Sequence, residues 1–232
     1  MDLRSIPKMI DLSCVKADIT KQELSDMAHF AKKYGFVCVF AMPCYTKWLI
    51  DAMADRPDIA VGGTAGFPSG ADLAETKAQT AKTLVNMGCG EIDMVMNYSA
   101  LRSGDYDLAL GDIKSVKDAI GGIPLKVILE VAYLADDEIK RGCELSVQAG
   151  ASFVKTGTGW APRPTTMHHI KLIKSVVGDS AKIKAAGGIK DLSTILAMAE
   201  QGCSRFGIGL ASARSIMDEA ESELARQGGA KK

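Results

Sequence analysis

The sequence has little of the features that mark nucleic-acid-binding, membrane-bound or zinc-dependent proteins. Lys plus Arg equals Asp plus Glu at 28 each, so the formal net charge is zero and no basic field is available to gather nucleic acid or anionic lipid. Histidine occurs only three times, as His29, His168 and His169, which offers no inward set of zinc ligands. We therefore expect no metal and no other cofactor, and we expect the partners to be small molecules.

The chain also lacks a long apolar run and a disulfide framework. The longest uncharged apolar stretch, residues 36–45, is shorter than the roughly 20 residues that a membrane-spanning helix requires, and it is typical of a buried strand. The six cysteines are scattered without a C-x-x-C pair, and residues 1–4 do not resemble the start of a signal peptide. These observations predict a cytoplasmic protein that binds neither membrane nor nucleic acid.

The composition that is present predicts one globular domain. Of the 232 residues, 47% are hydrophobic and 24% are charged, which is the balance of a single domain with a sizeable core. No low-complexity stretch or linker divides the chain. We therefore assign residues 1–232 to one domain, in which 227–232 are expected to form a flexible tail.

A strand-helix unit repeats along the chain. Compact apolar segments alternate with segments of helical periodicity. The predicted strands are Met9–Leu12, Phe36–Phe40, Ala60–Thr64, Ile92–Met96, Leu125–Val131, Phe153–Thr156, Lys182–Ala185 and Arg205–Ile208. About 29 residues per unit fits the roughly 30 of a βαβ step, so we predict an α/β fold, a single-domain (β/α)8 TIM barrel.

A doubly wound parallel sheet is the alternative architecture. It would usually place a Gly-rich phosphate turn directly after the first strand, whereas Ser13-Cys14-Val15-Lys16 stands there. Capping-box patterns at Thr20–Glu23 and Asp72–Glu75 predict two of the helix starts.

Two lysines occur late in otherwise apolar strands, where a barrel of this kind places its active site. Lys155 and Lys184 occupy equivalent positions in consecutive strands. Neighbouring ammonium groups lower each other's pKa and burial lowers it further, so that a value of about 10.4 can fall to roughly 7. An unprotonated lysine attacks a carbonyl, and the resulting iminium withdraws electrons from the adjacent carbon–carbon bond. The pair therefore predicts Schiff-base chemistry without a metal.

Two carboxylates are candidates for moving protons. Asp93 lies inside an apolar strand and Glu130 lies near the end of the next. Lys126 and Glu91 lie at strand beginnings, at the face of a barrel that serves stability, and we predict structural roles for them. Each inward charge could instead be a buried ion-pair partner, which would make Asp93 a counter-charge for the two lysines.

Glycines mark a predicted anion site. Gly187 and Gly188 follow the seventh strand, and Gly207 and Gly209 end the eighth, each pair shortly before a helix. Glycine lets an anion approach the backbone amides closely, and the positive ends of helix dipoles favour it. We expect substrate phosphate to bind there.

With these residues in place, seven ordered motifs resemble the deoxyribose-phosphate aldolases, a class I aldolase family with a (β/α)8 barrel. They cover nearly the whole chain and are Met9–Ser13, Val37–Val39, Gly66–Gly70, Glu91–Val95, Lys126–Glu130, Phe153–Gly159 and Lys184–Ile189. The resemblance implies that Lys155 forms the Schiff base, that Lys184 tunes it, and that Asp93 belongs to the proton relay.

The resemblance further implies a pocket, a reaction and an assembly. Asp11, Cys38 and Thr158 would line the pocket. The reaction would be the reversible cleavage of 2-deoxy-D-ribose 5-phosphate to acetaldehyde and D-glyceraldehyde 3-phosphate, and the assembly a homodimer. Other possibilities are the same chemistry on another aldehyde pair, a sugar-phosphate isomerase, and a barrel that only binds ligand.

The sequence departs from the family pattern at the phosphate end. Two serines usually end the eighth strand, but Gly209 and Leu210 stand here, so two hydroxyl donors are missing. Val131 replaces a threonine, and the C-terminal tyrosine of some members is absent. We therefore expect a weaker preference for the 5-phosphorylated sugar, with Arg163, in a proline-stiffened loop, as the candidate to compensate.

Overall fold

A computed structural model describes residues 2–229 as a closed barrel of eight parallel strands, in which each strand pairs with its neighbours in chain order. The strands are β1 (Ile10–Cys14), β2 (Cys38–Ala41), β3 (Ala60–Ala65), β4 (Glu91–Val95), β5 (Leu125–Ile128), β6 (Phe153–Lys155), β7 (Lys182–Ala186) and β8 (Cys203–Gly209). This topology confirms the predicted (β/α)8 barrel.

Helices alternate with the strands on the outside of the barrel. They are α1 (Lys21–Tyr34), α2 (Thr46–Ala52), α3 (Ala74–Met87), α4 (Tyr98–Arg102), α5 (Tyr106–Ile120), α6 (Asp136–Gln148), α7 (Met167–Val177), α8 (Leu192–Glu200) and α9 (Leu210–Gly229), with short 3-10 segments at Leu3–Met9, Pro43–Tyr45 and Val131–Tyr133. None of the described helices is long and apolar enough to cross a membrane.

The structure moves several strand ends by one or two residues and makes three larger corrections. The fifth strand is shorter than Leu125–Val131, because Glu130 takes a left-handed conformation with φ of 59°. The predicted cap at Asp72 is wrong, since α3 begins at Ala74 with Leu73 as its N-cap and has no side-chain cap, whereas the box at Thr20 is confirmed. Helix α9 extends to Gly229, so 227–229 of the predicted tail are helical and 230–232 lie outside the described residues.

The apolar core lies between the strands and the helices. Alternate residues of each strand point outward into it, as Ile92 and Met94 do on either side of Asp93. The inward side of the barrel is instead largely charged, with buried Asp11, Asp93 and Lys126. This separation frees the barrel interior to carry chemistry while stability comes from the outer layer.

Candidate active site

A cavity of about 440 Å³ opens at the carboxyl ends of the strands. Its floor includes four of the predicted residues, namely Asp11, Asp93, Lys155 and Lys184. All four side chains are buried. The strand ends therefore bring charged groups from four different strands to one enclosed point.

The pairing of β6 with β7 sets the two lysines side by side. Lys155 and Lys184 are register partners across these strands. Just beyond them, the Thr156 hydroxyl accepts a hydrogen bond from the Ala186 amide and donates one to the Ala186 carbonyl, both at 2.9 Å. Because this hydroxyl ties the two strand ends together, the lysine positions are fixed by the backbone.

Asp93 connects the two lysines. Its Oδ2 accepts hydrogen bonds from Lys155 Nζ at 2.8 Å and from Lys184 Nζ at 2.6 Å. Its other oxygen, Oδ1, lies 3.3 Å from Lys126 Nζ but without the angle of a hydrogen bond, and it has no hydrogen-bond partner among the described residues. One carboxylate thus faces three ammonium groups, while one of its oxygens remains an open acceptor.

A second layer of charges lies below these residues. Asp11 Oδ2 binds Lys184 at 2.6 Å and Lys126 at 2.9 Å, while Oδ1 accepts from Arg205 Nε at 2.8 Å. Arg205 also binds Glu91 at 2.7 Å, and Glu91 contacts Lys126. These contacts agree with the structural roles predicted for Lys126 and Glu91.

The sequence interpretation missed Arg205. It was placed at the first position of the eighth strand, although β8 begins two residues earlier, at Cys203. Arg205 could have been recognised as a charged residue inside an apolar strand, directly before Phe206. The same kind of pattern identified Lys155 as a candidate.

The balance of charge in this network explains the protonation of Lys155. The network contains four cations and three carboxylates, so it is neutral when one cation loses its proton. The pKa of Lys155 is lowered to about 8, first by burial and then by the charges of Lys184 and Lys126, while Asp93 opposes the change. The pKa shifts in the predicted direction. It remains above the predicted value of roughly 7, because the negative charge of Asp93 stabilises the Lys155 ammonium.

The two aspartates remain charged. Burial alone would raise the pKa of Asp93, but Lys126, Lys155 and Lys184 hold it well below its ordinary value. Burial acts in the same way on Asp11, and Lys126, Lys184 and Arg205 likewise hold its pKa below its ordinary value. Both groups are therefore ionised in the resting enzyme and act as counter-charges for the neighbouring cations.

Glu130 supports the loop that follows Lys155. Its buried carboxylate accepts hydrogen bonds from the Thr158 amide at 3.2 Å and from the Thr158 hydroxyl. Burial raises the pKa of Glu130, and these hydrogen bonds oppose the change. Thr158 lines the cavity, so Glu130 acts on the site through this residue.

Asp11, Cys38 and Glu91 could also be considered as metal ligands, since one donor atom of each lies within 4.8 Å of the others. The two carboxylates are already bound by Lys126 and Arg205. Burial raises the pKa of the Cys38 thiol well above its ordinary value, so it remains protonated. A thiolate is the form of cysteine that binds metal, and this donor set therefore fits a metal poorly.

The mouth of the cavity has an aromatic side. Phe67, which follows β3, packs edge-on against Trp160, which follows β6, with ring centroids 6.0 Å apart. The indole Nε1 of Trp160 donates a hydrogen bond to the Val15 carbonyl at 2.8 Å. Both aromatic rings line the cavity.

Comparison with protein families gives a match over residues 7–219 to the DeoC/LacD family of aldolases. The chain belongs to this family. This aldolase is 36% identical to the deoxyribose-phosphate aldolase of Klebsiella pneumoniae over 216 residues, which cover 92% of this chain and 87% of the relative. It is 42% identical to that of Caldanaerobacter subterraneus over 208 residues, which cover 88% of this chain and 90% of the relative. The protein is therefore an enzyme, a lyase of the deoxyribose-phosphate aldolase type.

Solved structures agree with this assignment. An aldolase called QR15 superposes with a TM-score of 0.86 at 35% identity, with coverage of 96% of this chain and 97% of that chain. The deoxyribose phosphate aldolase of Aeropyrum pernix, described as having a unique tetrameric structure, gives a TM-score of 0.82 at 25% identity, with coverage of 95% and 92%. The homodimer expected for this aldolase stays a prediction.

The remaining predicted binding residues divide into two groups. Thr158 and all four glycines, Gly187, Gly188, Gly207 and Gly209, line the cavity of this aldolase. Cys38 and Arg163 are not among the lining residues. Cys38 lies lower in the barrel, at the register position of Asp11, and the exposed Arg163 donates to the Ala132 carbonyl.

Proposed function

We propose that this aldolase reversibly cleaves 2-deoxy-D-ribose 5-phosphate to acetaldehyde and D-glyceraldehyde 3-phosphate through a Schiff base on Lys155. The observation that carries the proposal is the buried Nζ of Lys155, which faces the cavity, binds Asp93 at 2.8 Å and has a pKa of about 8. Near neutral pH a useful fraction of this amine is unprotonated, unlike that of an ordinary lysine.

Formation of the Schiff base follows from the arrangement of the two lysines. The neutral amine of Lys155 adds to the aldehyde carbon, C1, of the open-chain sugar. The proton released by the amine passes through Asp93 to the C1 oxygen, which becomes a hydroxyl. The ammonium of Lys184, which shares the same carboxylate oxygen, supplies the second proton, with which this hydroxyl leaves as water. The product is an iminium between Lys155 and C1.

The iminium then makes carbon–carbon cleavage possible. A base removes the proton of the C3 hydroxyl, the C2–C3 bond breaks, and its electron pair moves into the iminium. This step releases glyceraldehyde 3-phosphate and leaves an enamine on Lys155. Protonation of the enamine at C2 gives the iminium of acetaldehyde, which water hydrolyses to acetaldehyde and the free lysine. No electron carrier is consumed in the cycle.

Asp93 and Lys184 are well placed to supply these protons. Asp93 is ionised in the resting enzyme and shares one oxygen between the two lysines, so a proton can move along a path of two short hydrogen bonds. The second aspartate, Asp11, holds Lys184 from the other side at 2.6 Å. Lys184 is therefore fixed in direction as well as in position, which general acid catalysis requires.

The same geometry argues against an isomerase or a barrel that only binds ligand. An isomerase of sugar phosphates needs a carboxylate base that faces the substrate and a neutral electrophile. Here the carboxylate at the cavity floor is occupied by two lysines. A barrel that only binds ligand would have no use for a lysine whose pKa is lowered by burial.

Trapping of the intermediate tests the proposal. The enzyme is incubated with acetaldehyde and sodium borohydride, digested and analysed by peptide mass spectrometry. We expect a reduced two-carbon adduct on Lys155, none on this residue's peptide after Lys155→Ala, and loss of sugar cleavage in the same variant. Adduct formation on Lys184 instead would reject the assignment. If Lys155 is labelled but 2-deoxyribose 5-phosphate is not cleaved, the chemistry stands and the substrate is another aldehyde pair.

A further inference from the structure

An aromatic ring of the barrel interior, that of Phe40, lies against the buried charges. Phe40 belongs to β2, is buried and lines the cavity. The Nζ of Lys184 lies over the face of this ring, 4.4 Å from its centroid, and the Nζ of Lys126 lies 4.8 Å from the same centroid. One ring therefore contacts two ammonium groups of the charge network.

The next strand makes room for this ring. Gly62 of β3 is the register partner of Phe40. A Cβ atom at residue 62 would lie 2.2 Å from two atoms of the Phe40 ring, which is far shorter than a van der Waals contact. Gly62 is not among the glycines with positive φ, so the close approach of the ring, and not a turn, explains a glycine at this place in the strand.

Aromatic rings favour the other cations of the network over Lys155. A cation is attracted to the negative face of a ring when it lies within about 6 Å of the centroid. The ring of Phe153 lies 5.7 Å from Lys126 and 5.8 Å from the guanidinium of Arg205. Among the described residues, no such contact joins Lys155 to a ring. Lys155 is thus the cation of the network that receives none of this stabilisation.

The charges around Lys184 act in both directions. Five other strands bring charged groups to it, and these are Asp11, Asp93, Lys126, Lys155 and Arg205. Its two carboxylate partners are both shared with other cations, whose positive charges oppose its own. A ring that attracts the Lys184 ammonium therefore adds to the effect of its carboxylates without adding a charge.

We propose that Phe40 is a positioning residue for the reaction, whose ring holds Lys184 as a cation so that the proton released by the network leaves from Lys155. The inference rests on the proposed function for the role of Lys155 as the nucleophile. The ring lies over Lys184 and not over Lys155, so it stabilises the charged form of one lysine of the pair. It also keeps Lys184 able to supply the proton with which the C1 hydroxyl leaves.

A fluorinated phenylalanine tests the charge of the ring face separately from its shape. Incorporation of 3,4,5-trifluorophenylalanine at residue 40 keeps the ring while the fluorines withdraw electrons from its face, so most of the cation–π attraction is lost. After brief labelling with acetaldehyde and borohydride near neutral pH, we expect the ratio of adduct on Lys184 to adduct on Lys155 to rise about 10-fold. The same replacement of Phe36, a buried residue of the outer core that does not line the cavity, is the matched control and should leave the ratio unchanged.

The pH profile of the reaction gives a second measurement. Cleavage of 2-deoxyribose 5-phosphate requires a charged Lys184, so kcat/KM should fall at the alkaline end of the profile, where this residue loses its proton. In the protein fluorinated at residue 40 we expect this fall to occur at a pH lower by about one unit. The protein fluorinated at residue 36 should keep the wild-type profile. A loss of packing alone would lower the rate at every pH and would leave the position of the alkaline fall unchanged.

Two ordinary substitutions reach the same ring. The methyl group of Gly62→Ala would displace the ring of Phe40 from the ammonium groups, so this variant should show the same rise in the adduct ratio. Phe40→Leu removes the ring and should act likewise, and adding Gly62→Ala to it should change the ratio no further. Thermal unfolding shows whether each variant is folded.

The outcomes separate this proposal from the proposed function. An adduct ratio and an alkaline fall that both stay at their wild-type values in the protein fluorinated at residue 40 would overturn the role of Phe40, while labelling of Lys155 would still support the proposed function. An equal rise in the ratio on fluorination of Phe36 would also overturn the role of Phe40. A wild-type enzyme without adduct on Lys155 would reject the proposed function and this inference with it.

Discussion

The Nζ of Lys155 lies 2.8 Å from the Oδ2 of Asp93, an oxygen that is also bound by a second lysine at 2.6 Å. Two ammonium groups therefore compete for one negative charge. Lys184 has the additional anionic partner Asp11 at 2.6 Å, whereas Asp93 is the carboxylate that binds Lys155. This asymmetry explains in physical terms why Lys155, and not its neighbour, is the proposed nucleophile.

The first prediction concerns the pH dependence of catalysis. Because the pKa of Lys155 is lowered to about 8, the fraction of neutral amine increases as the pH rises towards and through this value. We expect kcat/KM to increase through this range and to level off above it. Measurement of kcat/KM between pH 6 and 9.5 tests this, and a rate that is flat across this range would contradict it.

Replacement of Lys184 should move this profile. The charge of Lys184 lowers the pKa of Lys155, and its removal also leaves Asp93 free to stabilise the Lys155 ammonium. Both effects raise the pKa of Lys155. We expect Lys184→Met to shift the rise in kcat/KM to higher pH and to reduce the rate at pH 7 by at least about 10²-fold. If the profile keeps its midpoint, Lys184 does not tune Lys155.

Asp93→Asn separates proton transfer from charge balance. Asp93 raises the pKa of Lys155, so its loss should move the rise in activity to lower pH while kcat falls because the proton carrier is gone. The structure also makes Asp93 a counter-charge for three buried lysines, and the sequence interpretation left this role open beside the catalytic one. We therefore expect a loss of stability of roughly 3–5 kcal/mol as well, measured by denaturant unfolding. Wild-type stability with reduced kcat would limit Asp93 to proton transfer.

The sequence predicted the architecture because periodicity and glycine positions are local signals. Eight compact apolar segments separated by helical segments specify the strand number, and Lys155 was recognisable as a charge inside an apolar strand. The end of β5 was not predictable, because Glu130 leaves the strand through a left-handed conformation that its residue type does not favour. That conformation is stabilised by contacts with Thr158, 28 residues later in the chain.

The grouping of three cations at the edge of the cavity could not be predicted for a related reason. Lys16, Lys190 and Arg214 are far apart in sequence and lie in loops or at a helix start, where charged residues are ordinary. Only closure of the barrel makes β1 the neighbour of β8. Arg163 was preferred from the sequence because it stands near Lys155, but its side chain is directed to the Ala132 carbonyl.

Lys155 should also reduce the stability of the folded protein. The pKa of Lys155 is about 8 in the folded state, against 10.5 for an ordinary lysine. The unfolded chain therefore binds this proton more tightly, and at a pH below 8 the protonated Lys155 destabilises the folded state. The cost is roughly 3 kcal/mol at pH 7 and disappears as the pH rises through 8 towards 10.5. We expect Lys155→Met to have a higher Tm than the wild type at pH 7, with a smaller difference at pH 10. An equal or lower Tm at pH 7 would show that the contact with Asp93 outweighs the cost of burial.

A chelator should not affect the rate. The carboxylates of Asp11 and Glu91 are held by Lys126 and Arg205, and the neighbouring Cys38 remains a thiol. These groups are therefore poor ligands. We expect the same kcat/KM before and after dialysis against EDTA, and restoration of lost activity by a divalent ion would refute the proposed mechanism.

The last prediction concerns the left-handed residue beside the site. Glu130, with φ of 59°, uses its carboxylate to accept hydrogen bonds from the amide and the hydroxyl of Thr158, which lines the cavity. Glu130→Ala should leave these donors without an acceptor at a cost of about 1–3 kcal/mol and should raise KM for the sugar phosphate. Labelling of Lys155 by acetaldehyde and borohydride should persist, because the lysine itself is held by β6.

Two further variants separate the hydrogen bonds from the backbone strain. Glu130→Gln keeps an oxygen that can accept a hydrogen bond from the Thr158 amide. Its KM should therefore lie much closer to the wild-type value than that of Glu130→Ala. Glu130→Gly also lacks the carboxylate but adopts a positive φ without the steric cost of about 1–2 kcal/mol that other residues pay there. We therefore expect Glu130→Gly to be more stable than Glu130→Ala while sharing its raised KM, as measured by thermal unfolding and steady-state kinetics. If glycine restored KM as well, the backbone conformation of residue 130, and not its carboxylate, would be what positions Thr158.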